Sequence, residues 1–289
     1  FGATLRLPEF SLVLPMGISF YTFQTLSYTI DVYRGELAPV RNFPRFLLFI
    51  SFFPQLVAGP IVRASEFLPQ IPRTRRLHAR VFYQGAWLLI VGFFLKMVCA
   101  DNLAAYVDEH WDRGYREGAD ATFVLWLGVM FSGQIFADFA GYSTIAQGLG
   151  YLLGYRFPEN FKAPYLAATF KNFWERWHIT LSRWLRDYLY VPLGGNRGSR
   201  GRTLLNLLLV MLLGGLWHGA AYTFIVWGAI HGLCLVGERV LGLHRPAPRP
   251  WAVRAVWFAV VQMAVLVAWV YFRSATVGGA TAFVGNLVG

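Results

Sequence analysis

Charge is scarce in this chain. Asp, Glu, Lys and Arg make up 14% of its 289 residues, where a soluble domain carries about 25%. That shortage excludes a fold that solvates its whole surface, and 56% hydrophobic and 17% aromatic residues point instead to a polytopic membrane protein. Cysteine is nearly absent: Cys99 and Cys234 stand in apolar segments without CxxC or ligand spacing, which excludes a disulfide framework and reads as two buried thiols. No HEXXH or other zinc spacing, P-loop or GxSxG is present. Metal hydrolysis, ATP-driven transport by this chain and serine-hydrolase acyl transfer are therefore disfavoured, and no metal is expected. A start methionine and a leader are lacking too. The chain opens at Phe1 and closes inside the apolar AFVGNLVG, so we expect an internal piece of a longer protein, with spans missing at both ends.

Acidic residues are the scarcer sign, giving a formal net charge of +11. The basic residues gather between apolar runs, the habit of cytoplasmic loops, so the expected partner is membrane lipid and not nucleic acid. Charge-free runs occur at 10–30, 46–62, 81–95, 121–137, 139–155, 203–237, 255–272 and 274–289. Several fall short of the roughly 20 residues a span wants, and Pro15, Gly17, Pro54, Gly59, Pro60, Gly141 and Gly148 punctuate them. The expectation is an all-α, multi-pass bundle of short, broken and re-entrant helices around a central tunnel, forming one domain over 1–289. Residues 101–120 hold six acids against two arginines, while 63–80, 156–202 and 238–254 are basic. The positive-inside rule puts the last three in the cytoplasm and 101–120 outside. The run 121–155 then crosses an odd number of times, once if it merely bends near Asp138.

Residues 203–237 run for 35 positions without an Asp, Glu, Lys or Arg. As one helix they would reach about 50 Å against roughly 30 Å of hydrocarbon, so they must fold back, with Gly214, Gly215 and Gly219 as the place. His218 then sits beside the break, deep in the membrane, where a titratable side chain needs a satisfied partner or a task. The stretch 169–191 differs. Phe170, Phe173, Trp174, Trp177, Leu181, Trp184, Leu185 and Tyr188 recur at spacings of three and four, a stripe that predicts one amphipathic helix at the cytoplasmic interface, tryptophans at headgroup depth. His178 falls on its buried side or edge, and the glycine-rich, basic loop PLGGNRGSRGR follows.

FWERWHITLSRWLRDYLYVPLGGNRG followed by LLNLLLVMLLGGLWHGAAYTFIVWGAIHG resembles the signature of the membrane-bound O-acyltransferases, and within them the bacterial branch of the alginate O-acetylases. LPMGISFYTFQTLSYTIDVYRGE at 14–36, FFPQLVAGPIVR at 52–63, DFAGYSTIAQGLGYLLG at 138–154 and WVYFRSATVGGATAF at 269–283 agree, so the resemblance covers nearly the whole chain. It implies acyl transfer from a thioester to a hydroxyl inside the membrane, between funnels that meet near a histidine. The family's invariant histidine falls on His218, and its second signature position, held by His, Asn or Asp, on His178. The donor implied is acetyl-CoA, with no permanently bound cofactor. The acceptor implied is an exported polysaccharide, or a periplasmic acetyltransferase partner, at a bacterial inner membrane. D-alanyl transfer to teichoic acid is the alternative within the family.

The chemistry suits those residues. A hydroxyl attacks a thioester only as a base removes its proton, and neutral imidazole is the side chain best matched to that near neutral pH. The tetrahedral oxyanion needs donors, and His178, Trp217 Nε1 or backbone N–H groups at the glycine break can supply them. Further candidates for substrate contact are Trp177, Arg176, Arg183, Asp187, His231 and Asp138. Each has a plainer reading. Arg176, Arg183, Asp187, Asn196 and Arg197 equally suit a solvated interfacial face, and His231 a packed imidazole with its hydrogen bonds satisfied. For Asp138 a structural hydrogen bond to Tyr142 or a helix end is favoured. His78, His110 and His244 read as solvated loop residues. A proton-coupled transporter or channel explains buried histidines in broken helices equally well, but not the paired RWH and LWHG motifs; no inverted repeat is visible.

Overall fold

The computed structural model describes residues 17–56, 58–72, 78–245 and 250–288. Pro15, the opening of the 10–30 run and several of the loop arginines used for sidedness lie outside them. Among the described residues every regular element is helical. In chain order these are α1 (Ile18–Tyr33), α2 (Phe43–Ser51), α3 (Ala64–Phe67), α4 (Ala79–Phe93), α5 (Asp101–His110), α6 (Ala121–Leu152), α7 (Phe170–Trp174), α8 (Ile179–Leu185), α9 (Arg200–His218), α10 (Tyr222–Val240), α11 (Trp251–Arg273) and α12 (Val277–Val288). Among the described residues five stretches are long and apolar enough to cross a membrane: Ala79–Tyr115, Ala121–Leu152, Arg200–His218, Tyr222–Val240 and Trp251–Arg273. The multi-pass all-α architecture is the expected one, and α2, α3, α7 and α8 are the short pieces between the long ones.

Two regions depart from the sequence reading. A π-helical turn, Phe94–Ala100, joins α4 to α5, and a 3₁₀ turn carries the helix on to Tyr115. Much of the acid-rich 101–120 is therefore helix and not loop. His110, expected to be solvated, ends α5 and stacks on Tyr106 at 4.3 Å. The second departure is α6, one helix of 32 residues capped by Asp120, whose side chain accepts from Phe123 N. It is one continuous helix long and apolar enough for the single crossing expected, and Gly141 and Gly148 do not interrupt it. They are where α4 comes close. A Cβ on Gly141 would lie 2.9 Å from Gly92 O, and one on Gly148 2.9 Å from Gly85 O, with reciprocal contacts of 2.9 Å from Gly92 to Gly141 O and 3.1 Å from Gly85 to Gly148 O. Small residues at heptad spacing let two membrane helices approach to backbone contact, and that is the function of these glycines.

Asp138 also finds an unexpected partner. Its carboxylate accepts from Lys96 Nζ at 2.7 Å, and Lys96 also reaches Asp101 at 2.8 Å, so the α4–α6 pair carries a charged triad instead of a bond from Asp138 to Tyr142 or a helix end. On the other side of the molecule a core of large side chains, with Phe131, Phe173, Trp177, Trp227, Trp269 and Phe283 among them, joins α6, α7, α10, α11 and α12.

Candidate active site

The fold-back of 203–237 occurs as expected, at Gly219. Helix α9 starts at Ser199, whose hydroxyl accepts from Arg202 N, and ends on His218, and α10 begins three residues after Gly219. Glycines allow the hairpin to close: a Cβ on Gly215 would strike Phe224 O, and one on Gly219 would lie 2.6 Å from the Phe224 ring. His218 is thus held at the mouth of a tight hairpin. Its ring meets Trp227 and Phe272 edge-on at 5.0 Å each and Trp217 at 4.8 Å. It is partly buried and makes no hydrogen bond to a described residue, so its nitrogens are free to meet a substrate.

The aromatic stripe of 169–191 is a broken segment, not a single surface helix. α7 ends at Trp174, four residues turn, and α8 starts at Ile179 after His178, whose φ is 42°. Left-handed backbone on a residue with a side chain is strained, though His tolerates it better than most. The break turns the stripe inward: Phe173, Trp177 and Trp184 are buried against other side chains and do not form an exposed face. The physical reason is burial, since so much aromatic surface gains more against other side chains than at an interface. His178 is 2% exposed, its ring edge-on to Phe139 at 4.6 Å and 6.3 Å from that of Trp217.

Both signature histidines therefore border one indole, that of Trp217. Trp217 Nε1, Trp227 Nε1 and His178 Nε2 are buried without a hydrogen-bond partner among the described residues. Unsatisfied buried polar atoms cost about 1–3 kcal/mol each, and two of the three belong to indoles packed against the His218 ring. The arrangement provides a base and several N–H donors in an aromatic enclosure.

His231 is buried in a cage of Phe173, Trp174 and Trp227 at 5.0–5.8 Å, with neither nitrogen partnered, so the satisfied imidazole expected of it is not found. Trp177 packs on Phe173 and Trp269. Arg176 donates to Asn172 Oδ1 and to Lys162 O, which ties a loop down. Asp187 accepts from Arg63 and Arg186 and borders a separate polar cleft with Asp31 and Tyr188. Arg183 does reach a larger cleft of about 440 Å³ between α7, α8, α9 and α10, whose charged rim also holds Lys171 and Arg186, and whose depth is lined by Ile179, Val210 and Met211. Asp138 stands apart with Lys96.

Two polar residues that no sequence pattern singled out hold the segments flanking the His178 turn. Glu238 of α10 is 1% exposed, and its carboxyl oxygens accept from Phe170 N at 2.6 Å and Lys171 N at 3.1 Å, fixing the first turn of α7. Asn160 does the same for the start of α8.

The family model described as MBOAT, membrane-bound O-acyltransferase family, matches residues 35–277. The chain is 45% identical over 264 residues to the probable alginate O-acetylase AlgI of Pseudomonas syringae pv. tomato, covering 91% of this chain and 49% of that protein. It is 37% identical over 311 residues to the peptidoglycan O-acetyltransferase of Helicobacter pylori, covering 96% and 57%. With the teichoic acid D-alanyltransferase of Bacillus subtilis the identity is 29% over 237 residues, covering 79% and 60%. The chain thus spans about half the length of the curated relatives it matches.

Proposed function

The chain belongs to the membrane-bound O-acyltransferase family, and on that premise we propose that it is the membrane-embedded catalytic part of a bacterial O-acetyltransferase. An acetyl group passes from acetyl-CoA to a hydroxyl of an exported polysaccharide, or to a periplasmic partner that completes the transfer. The observation that carries the reading is the convergence of His218 and His178 on Trp217 inside one aromatic enclosure. A proton relay along the membrane normal has no need of that convergence. The cleft between α7, α8, α9 and α10 supports it: Lys171, Arg183 and Arg186, beside Glu175, offer cations to the donor's phosphates, and an apolar lining that includes Ile179, Val210 and Met211 suits a pantetheine arm.

In this mechanism His218 Nε2 or Nδ1 accepts the proton of the attacking hydroxyl. The oxygen bonds to the thioester carbonyl carbon, the carbonyl oxygen becomes an oxyanion, and the C–S bond breaks as the carbonyl reforms. The departing thiolate takes a proton from the imidazolium, which returns His218 to its neutral state. Desolvated N–H donors aimed at an oxyanion contribute strongly in a site closed to water, and Trp217 Nε1 and Trp227 Nε1 are donors of that kind. His178 orients or stabilises from across Trp217.

The test uses the full-length protein in membranes with radiolabelled acetyl-CoA, following thioester loss and label on polymer or partner. His218→Ala is expected to lower transfer on the order of 10²–10⁴-fold in protein that is still inserted and folded, and His178→Ala to lower it as well. Robust transfer surviving His218→Ala removes the base assignment. Label that moves only from a D-alanyl carrier moves the donor to the class of the Bacillus relative.

A further inference from the structure

His178 is held in an unusual backbone state, and the device that holds it lies outside every motif read from the sequence. Asn160, in the loop after α6, is 2% exposed, and both ends of its amide are used. Nδ2 donates to Gly59 O at 3.3 Å and to Ser143 Oγ at 3.1 Å. Oδ1 accepts from Thr180 N at 3.3 Å and from Thr180 Oγ1 at 2.9 Å. Its main-chain carbonyl accepts from Ile179 N at 2.9 Å. Thr180 Oγ1 in turn accepts from Ile61 N at 2.9 Å. An amide side chain offers two donor hydrogens and two acceptor lone pairs, and all four are engaged. A reversed amide would set its N–H groups against Thr180 N–H, so the network fixes one orientation.

The geometry has a direction. Asn160 grips the two residues that follow His178, Ile179 and Thr180, and anchors them to three separate segments: the loop at Gly59 and Ile61, α6 at Ser143, and its own loop. Gly59 reaches it only through a φ of 110°, which glycine adopts without steric cost. His178 itself supplies none of these bonds and carries the positive φ of 42°. A left-handed residue with a side chain persists only where its surroundings over-determine it, and Asn160 with Thr180 is that surrounding. With its hydrogen-bonding capacity exhausted, Asn160 has nothing left to offer a substrate.

We infer that Asn160, acting with Thr180, is a positioning residue of the transfer reaction, holding the His178 backbone left-handed and so aiming its imidazole at the space shared with His218. The inference rests on the reading that His178 takes part in transfer. A misplacement of about 1 Å costs on the order of 10²-fold in rate, so the grip matters to the chemistry even though it never touches the reacting atoms.

The test again uses the full-length protein, with Asn160→Ala, Thr180→Val and the conservative Thr180→Ser. Asn160→Ala and Thr180→Val are expected to lose roughly 10²-fold in kcat with the donor KM within about twofold, and Thr180→Ser to recover most of the rate. Unchanged kcat in folded Asn160→Ala and Thr180→Val overturns the inference, as does a loss explained wholly by KM or by the fraction of folded protein. A second measurement does not depend on activity. His178→Gly and His178→Ala both lose the ring, but only glycine relaxes in left-handed backbone, so His178→Gly is expected to melt about 2–4 °C higher. In an Asn160→Ala background that gap is expected to close; should that background fail to insert, Thr180→Val replaces it. A gap that is missing with Asn160 present, or that persists once the grip is removed, sinks the inference. A gap that behaves as expected in a protein that transfers no acetyl group supports the grip and places the fault in the acetyl-transfer reading.

Discussion

The α4–α6 wall and the aromatic enclosure around His218 are filled differently, although the α9–α10 hairpin beside the enclosure closes on glycines as the wall does. In the wall, Gly85, Gly92, Gly141 and Gly148 bring two backbones into contact by leaving side chains out, and its polar groups, Lys96, Asp101 and Asp138, are paired with one another. Around His218 large aromatic side chains meet edge to face, α7 and α8 are short pieces beside the α9–α10 hairpin, and Trp217, Trp227 and His178 keep polar atoms buried and unpartnered. Paired charges suit a wall, and unpartnered N–H groups beside His218 are what the proposed reaction calls for.

Substitutions that exchange the two fillings test the contrast most severely. Gly92→Leu puts a side chain where a Cβ alone would lie 2.6 Å from Ile145 Cγ1 and 2.9 Å from Gly141 O. The expected result is about 3 kcal/mol or more of lost stability, read by unfolding in detergent, with the molecules that do fold keeping wild-type transfer. Reduced activity per folded molecule would show that the wall is part of the site. Glu238→Ala lies on the boundary. It leaves Phe170 N and Lys171 N without acceptors and is expected to cost about 1–3 kcal/mol together with part of the rate. A loss of stability with the rate intact would separate α7 from the chemistry.

The smallest effect belongs to an ordinary loop pair. Burial raises the Asp187 carboxyl, but the Arg186 and Arg63 guanidiniums outweigh it and bring its pKa below 3.8. A depressed carboxylate contributes stability that is fully present above the unfolded value and lost as pH falls through the folded one. Melting followed from pH 6 down to about pH 3 should therefore fall less steeply in Asp187→Asn than in wild type. A parallel decline would mean the pair contributes nothing measurable.

The hairpin and His218 were legible because a charge-free run longer than a membrane is thick can only turn back, and its glycines stand where it does. The helical class was legible from composition alone. The break at His178 was not, because the 3–4 spacing of aromatic residues continues across it and a positive φ on a non-glycine residue leaves no mark in a sequence. The glycines of α6 misled for the opposite reason: Gly141 and Gly148 look like helix breakers until the partner helix is in view. Asp138 with Lys96, Glu238 with α7 and Asn160 with Thr180 are contacts between distant segments. A lone Asn in a polar loop or a lone Glu at a helix end has no period to betray it. At His178 the φ of 42° suits histidine, which with Asn and Asp is among the side chains that left-handed geometry tolerates best.

The Lys96 triad bears on the order in which the protein is made. Lysine or aspartate at the centre of a spanning helix costs about 2.5–3.5 kcal/mol on insertion scales. Lys96 lies midway along Ala79–Tyr115 and Asp138 midway along Ala121–Leu152. Lys96 has Asp101 as a partner within its own stretch, whereas Asp138 gains its lysine when the two helices meet, so α6 is the one that benefits most from the pairing. They are also neighbours in the chain, joined by a short turn, and their glycines let them close at once. This pair can leave the insertion machinery as a unit before α7–α12 has been synthesised, and the aromatic half then assembles against a wall that is already standing.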